Sequence, residues 1–298
     1  MDYALLGKSD LKVSRVSFGC MSLGDDHAEN AKILHHARDH GINFFDTADL
    51  YQKGFNEETV GRAFKDTRDR VLIATKAGNQ WRSDGSGWDW NPTTEYILKA
   101  ADESLRRLQT DHIDLYQLHG GTIQDPIDET IEAFETLKRE GKIRYYGISS
   151  IRPNVIREYV RRSNIVSVMM QYSLLDRRPE EECLPLLQQH QVGVLTRGSL
   201  ASGLLIDKPA KPYLNYKTDE VVKAAKAIID VAGINRSKIQ IALQFVLHHP
   251  AITTAVIGMR TLEQLKECLR AANVQHLTDD EVQKLKRVLE PNVYGDHR

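Results

Sequence analysis

The sequence predicts an α/β protein built as a (β/α)8 barrel, and three observations carry that expectation. Eight short apolar runs recur along the 298 residues, with helical patterns between them. The runs are nearly continuous rather than alternating, as expected for strands buried on both faces of a parallel sheet. Chemistry-bearing residues stand at or just beyond the ends of several runs, which is how a barrel assembles one site from distant segments. An open doubly wound sheet is the competing arrangement. The count of eight and the lack of a Gly-x-Gly-x-x-Gly after the first run argue against it. Length alone would allow about two domains, but residues 1–298 read as one barrel domain.

The elements follow in order. Residues Tyr3–Val13, centred on Gly7-Lys8-Ser9-Asp10, read as a β-hairpin ahead of the first run, Val16–Gly19. Leu34 and Ala37 share a helical face, and Gly41 stops that helix before the second run, Asn43–Asp46. The third run is Val71–Lys76. A long loop, Gly78–Pro92, then holds all three tryptophans, Trp81, Trp88 and Trp90. Ile97, Ala101, Leu105 and Leu108 form the face of a helix that precedes the fourth run, Ile113–His119. Ile127, Ile131, Phe134 and Leu137 form another, closed by Gly141. Tyr145–Ser149, Val166–Gln171 and Val192–Arg197 are the fifth to seventh runs. Leu200–Lys217 carries Pro209 and Pro212 and shows no clear period. Ser237 with Gln240 reads as a capping box that opens a helix ending at Pro250. The eighth run is Thr254–Gly258, and Thr278 with Glu281 opens a last helix that stops before Pro291.

Composition narrows the function. Hydrophobic residues make up 41%, and 40 Lys plus Arg against 41 Asp plus Glu leave a net charge of −1. No basic stripe stands out, so nucleic acid is not the expected partner. Cys20, Cys183 and Cys268 are odd in number and far apart, which reads as free thiols in a reducing compartment. No apolar stretch reaches the ~18 residues of a membrane span. Met1-Asp2-Tyr3 does not begin a signal peptide. The expectation is a soluble, cytoplasmic protein.

Four pieces carry the chemistry: Asp46-Thr47-Ala48-Asp49-Leu50-Tyr51, Lys76, Leu118-His119 and Gly147-Ile148-Ser149. An acid, a phenol, an amine and an imidazole gathered at one rim suit the passing of a proton to a carbonyl oxygen. Singly, each has a plainer reading. Tyr51 would be packing, Lys76 a solvated strand end, Asp46 a helix cap and His119 a core histidine. Together they favour catalysis. The remaining ten histidines show no His-Glu-x-x-His or similar metal spacing, so no metal site is expected.

These residues resemble the aldo-keto reductase superfamily over essentially the whole chain, in its short, single-domain bacterial form. The resemblance rests on Phe18-Gly19-Cys20-Met21-Ser22-Leu23-Gly24, Asn43-Phe44-Phe45-Asp46-Thr47-Ala48 with Tyr51, Lys76, and Asp114-Leu115-Tyr116-Gln117-Leu118-His119. It continues through Gly141-Lys142-Ile143-Arg144 with Gly147-Ile148-Ser149, Gln171-Tyr172-Ser173-Leu174, and Ile257-Gly258-Met259-Arg260. It implies a hairpin closing the bottom of the barrel, reversible reduction of aldehydes or ketones, and a nicotinamide dinucleotide bound extended.

By resemblance, Tyr51 is the general acid, Lys76 and Asp46 tune it, and His119 orients the carbonyl. A free tyrosine titrates near ~10, and an adjacent ammonium is expected to lower that value. Ser149 and Gln171 match positions that hold the nicotinamide carboxamide in relatives. Gly258, Arg260, Gln264 and Glu267 match the phosphate-binding loop and helix start after the last strand. Arg260 selects NADPH, with NADH as the other candidate. Arg197 stands where many relatives stack an aromatic on the nicotinamide, which implies either that its guanidinium plane takes that role or that the cofactor sits differently.

Several positions depart from the pattern. Ser150 and Cys268 stand where relatives often have Asn. Gly120-Gly121-Thr122 follows His119 where relatives often have a bulky aromatic, which predicts a wider pocket at that wall. Trp81, Trp88 and Trp90 are candidates to cover it. The expected partner is a small carbonyl substrate. The alternatives are a cofactor-binding sensor or regulatory subunit on the same fold, and a metal-dependent barrel hydrolase. The sequence does not specify the oligomeric state.

Overall fold

The fold is known from a computed structural model that describes residues 1–272 and 276–298. Strands β1 (Tyr3–Leu5) and β2 (Lys12–Ser14) form an antiparallel hairpin. There follow β3 (Val16–Gly19), α1 (His27–Asp39), β4 (Phe44–Asp46), α2 (Phe55–Phe64) and β5 (Leu72–Ala77). A second hairpin comes next, β6 (Asn79–Trp81) with β7 (Trp88–Trp90), and then α3 (Thr94–Leu108). The chain continues through β8 (Ile113–Leu118), α4 (Ile127–Arg139), β9 (Ile143–Ser149), α5 (Pro153–Arg162), β10 (Ser167–Gln171) and α6 (Cys183–Gln189). It ends with β11 (Gly193–Arg197), α7 (Thr218–Ala232), α8 (Lys238–His248), β12 (Ile252–Gly258), α9 (Leu262–Ala272) and α10 (Asp279–Lys286).

Eight parallel strands close into a barrel in the order β10-β11-β12-β3-β4-β5-β8-β9. Each of the eight predicted runs supplies one of them. β9 and β12 begin earlier than their apolar runs, at Ile143 and Ile252. Exposed Arg144 stands just ahead of the fifth run, yet the ladder pairs Ile113 with Ile143. Backbone pairing carries a strand past a single polar residue.

The barrel interior is packed by Phe44, Ala74, Leu115, Met169, Leu195 and Val256. Leu6, Leu11 and Val13 of the first hairpin join that cluster from below. Gly7, at φ 55°, permits the closure. A Cβ there would fall 2.3 Å from the Val166 carbonyl oxygen and 2.7 Å from the Gly193 nitrogen. The hairpin therefore plugs the barrel at the start of β10 and β11. A larger core fills the space between strands and helices.

Two expectations for the loops change. Gly78–Pro92 is not structureless, because β6 and β7 pair Asn79 with Trp90 and Trp81 with Trp88. Within Leu200–Lys217 the order is local, a 3-10 turn at Ala201–Gly203 and a bridge between Tyr213 and Tyr216. Both capping boxes form, at Ser237 with Gln240 and at Thr278 with Glu281. No described helix is long and apolar enough to cross a membrane. Because the strands are parallel, Asp46, Lys76, His119, Ser149, Gln171, Arg197 and Gly258 all stand at one rim.

Candidate active site

Lys76 is fully buried, and its ammonium has three protons to place. It donates to both Asp46 carboxylate oxygens and to the Thr47 carbonyl, each at 2.7 Å. Gln117 Nε2 supports Asp46 from β8 at 3.3 Å. Burial alone pulls the Lys76 ammonium down, but Asp46 and then Tyr51 pull it further up, so it stays charged. A buried cation needs such a partner, because an isolated one would lose its proton.

Tyr51 sits beside this pair. Lys76 Nζ lies 5.3 Å from the centre of its ring. The His119 ring meets Tyr51 edge-on, with centroids 5.8 Å apart. Burial raises the Tyr51 phenol above its ordinary value and outweighs the downward pull of Lys76. The expected lowering is therefore reversed in net direction. The reason is burial first, with the nearby Asp46 carboxylate adding to it against the pull of Lys76. Tyr51 rests as a protonated phenol.

The segment that presents Tyr51 is built against strain. Gln52, Lys53 and Gly54 all have positive φ, at 51°, 56° and 90°. For the two non-glycine residues that conformation costs about 1–3 kcal/mol each. Asn56, buried at the start of α2, holds the segment in place. Its Nδ2 donates to the Cys20 carbonyl at 2.8 Å and to Gln52 Oε1 at 3.2 Å, and Thr47 Oγ1 donates to its Oδ1 at 2.6 Å. Sequence reasoning missed Asn56, since a lone amide carries no signal without its partners.

The His119 backbone is fixed by its N–H to the Ala77 carbonyl at 2.7 Å and by Asn79 Nδ2 to its own carbonyl at 3.0 Å. Burial, then Lys76 and Arg197, push its imidazole down to about 3. It is neutral at physiological pH, and its Nδ1 is buried without a hydrogen-bond partner among the described residues.

Two hollows meet at Tyr51. One is a cleft of about 640 Å³ lined by Tyr51, His119, Asn79, Trp88, Trp90, Ser149 and Arg152. The other is a groove of about 500 Å³ running from Asp46 and Tyr51 to Gly258, Arg260 and Gln264. Met21, Met169 and Arg197 line both.

The predicted cofactor residues divide between them. Arg197, Gly258, Arg260 and Gln264 line the groove, and Ser149 lines the cleft. Gln171 borders Gly198, where an added Cβ would lie 3.7 Å from its Nε2. Gln264 Oε1 accepts the Arg260 backbone N–H at 2.9 Å, so its amide shapes the loop. Glu267 is not brought to the groove and faces a separate hollow beside Arg236 and Lys238. Lys208 lines the groove and was unforeseen, because its loop has no period to read.

The groove suits an extended dinucleotide. Three cations, Arg197, Lys208 and Arg260, line it. Ser22 Oγ is buried beside it without a partner among the described residues. A Cβ at Gly258 would fall 2.6 Å from that oxygen. The glycine thus keeps a close backbone approach open.

The tryptophans settle one wall. Trp88 and Trp90 line the cleft, while Trp81 donates from its indole to the Leu50 carbonyl at 3.1 Å behind it. Trp90 packs over Gly78 and Gly120, where a Cβ would come within 2.7 Å and 3.0 Å of its ring. Its indole N–H points to both Asp125 oxygens at 3.1 Å. Trp90, from another segment, therefore takes up the space over Gly120, while Gly121 and Thr122 line the cleft beside it.

The chain is similar to known proteins over nearly its whole length. A sequence model described as the Aldo/keto reductase family matches residues 15–290. A Bacillus subtilis protein named "Uncharacterized oxidoreductase YqkF" is 52% identical over 302 residues, spanning 98% of each chain. The holo form of aldo-keto reductase AKR11C1 from Bacillus halodurans superposes with a TM-score of 0.95 at 51% identity, covering 100% of this chain and 99% of that one. The apo form of the same protein gives 0.87 at 49% identity, with the same coverage.

Proposed function

This chain is an oxidoreductase of the aldo/keto reductase family, and from that premise we propose that it reduces aldehydes or ketones to alcohols with NADPH, using Tyr51 as general acid. The observation that carries the reading is the edge-on meeting of Tyr51 and His119, with Lys76 Nζ 5.3 Å from the Tyr51 ring centre, where cleft and groove join. The sensor alternative needs only the groove and gives no reason for a catalytic cluster at its end.

A reduced nicotinamide dinucleotide, when bound, supplies hydride chemistry at the carbonyl carbon. The chain's own residues supply the rest. Neutral His119 donates one hydrogen bond to the carbonyl oxygen and orients it. As negative charge grows on that oxygen, the Tyr51 hydroxyl gives up its proton to it. The charged Lys76 then stabilises the phenolate left behind through its field. Asp46 keeps Lys76 charged throughout. A positioned acid of this kind contributes about 10²–10⁴-fold.

In the groove, Arg260 and Lys208 would meet phosphate groups, with the Arg260 guanidinium the choice for the additional phosphate that distinguishes NADPH. Ser149 and Gln171 would hold the carboxamide, and Arg197 would lie against the nicotinamide plane. The 0.95 score against a holo form, above 0.87 for the apo form, supports a groove shaped to receive a ligand. Three free, buried cysteines support a reducing, cytoplasmic setting. The test is fluorescence titration with NADPH and NADH, followed by NADPH oxidation over a panel of aldehydes. Tight binding without turnover on any carbonyl would favour the sensor.

A further inference from the structure

We infer that the cleft takes carbonyl substrates carrying a carboxylate on an apolar or aromatic body, with Arg152 as the counter-charge. The inference rests on the reductase reading of the same cleft and adds the substrate class. Around the Tyr51–His119 pair the walls are apolar: Met21, Leu50, Trp88, Trp90 and Ile151. The only charged side chains lining the cleft are Arg152 and Arg197, and no Asp or Glu among the described residues lines it. Asn79, Thr122, Ser149 and Ser150 add neutral polar groups, and the balance of charge makes the cleft repel cations and draw anions in.

Arg197 faces both hollows and sits against Tyr51, on the cofactor side. Arg152 lines the cleft but not the groove. It caps the start of α5, where Ser150 Oγ accepts its backbone N–H at 3.2 Å. One guanidinium nitrogen donates to the Gly121 carbonyl, which pins the side chain at the wall. The other arginines of α5 are paired: Arg157 with Glu182, Arg161 with Glu158, and Arg162 with Asp128 and Glu158. Arg152 has no carboxylate within ion-pairing distance among the described residues. A fixed, unpaired guanidinium beside apolar walls leaves an edge free to hold a carboxylate in bidentate fashion. A cleft of about 640 Å³ accommodates a substrate longer than a two- or three-carbon aldehyde.

The experiment uses 4-carboxybenzaldehyde against its methyl ester, which share one body and differ in charge. Wild type should prefer the acid in kcat/KM by about tenfold or more, the worth of a charged hydrogen bond. Arg152→Met should bring the acid-to-ester ratio to about one or below, and Arg152→Lys should retain part of it. A merely structural role would lower both substrates together and leave the ratio in place. Independently of turnover, quenching of the tryptophans, all three of which lie in the cleft-side hairpin, reports binding of 4-(hydroxymethyl)benzoate and of its methyl ester. Equal affinity for the two, or a preference that survives Arg152→Met, overturns the inference. A carboxylate preference that vanishes in Arg152→Met without any aldehyde being reduced would overturn the reductase reading while the anion site stands.

Discussion

The two ends of the barrel each bury an aspartate, and they treat it differently. At the bottom, Asp114 is 1% exposed and accepts from Arg68 at 2.6 Å, Arg144 at 2.8 Å and the Ile73 backbone N–H at 2.9 Å. Its charge is answered by two guanidinium groups that also tie Asp10, Thr110, Val71 and His112 into the bottom of the barrel. At the top, Asp46 answers Lys76, and four buried atoms on that side lack a partner among the described residues, Ser22 Oγ, Asp49 Oδ1, Gln117 Oε1 and His119 Nδ1, against Ser167 Oγ at the start of β10. Each such atom forgoes about 1–3 kcal/mol. The left-handed Gln52 and Lys53 add strain at the same rim. The bottom end spends its polar groups mostly on one another, and the top end holds more unpartnered polar atoms and a strained loop, as the proposed site requires.

The largest break in this comparison is Tyr51→Phe. We expect kcat to fall by about 10²–10⁴-fold while NADPH binding by fluorescence is kept. Wild-type turnover would remove Tyr51 as the acid. Next comes Lys76→Met, which leaves Asp46 buried without its cation. Thermal unfolding should show a loss of about 3–5 kcal/mol together with loss of reduction. Its counterpart at the bottom is Arg68→Met. Asp114 keeps Arg144 and the Ile73 N–H, so the loss should be about 1–3 kcal/mol, and kcat should match wild type. If kcat fell as far as in Lys76→Met, the two ends would not be separable.

Smaller effects sharpen the top alone. Arg260→Ala should weaken NADPH by about tenfold more than NADH in parallel titrations. Equal losses would detach Arg260 from the additional phosphate. The smallest expected effect is none. With its value pushed down to about 3, His119 takes up a proton only as pH falls toward that value. It stays neutral from pH 5 to 8, and kcat/KM should show no inflection near the ordinary histidine value. An imidazole inflection near 6.5 that disappears in His119→Gln would contradict the neutral assignment.

The strands were legible because burial on both faces writes a continuous apolar run, and chain order then orders the barrel. The helix starts at Ser237 and Thr278 were legible because a capping box is local in sequence. Arg144 and Thr253 hid the first turns of β9 and β12, where ladder pairing overrides a polar residue. The β6–β7 hairpin was not seen, since strands of three residues are too short to show alternation. Glu267 was expected in the groove and faces elsewhere, because position along a helix does not tell which hollow a side chain enters.

Residue order and spacing alone determined the barrel and the rim on which Asp46, Tyr51, Lys76 and His119, the proposed catalytic residues, stand. Those features are written by periodicity and by the end of each run. Only the tertiary structure decided that Trp90 lies over Gly120, that Asn56 braces the Tyr51 loop, that Tyr51 rests protonated, and that Arg152 has no carboxylate partner among the described residues. Packing, charge and protonation depend on distances between segments far apart in the chain, and those distances exist only once the barrel has closed.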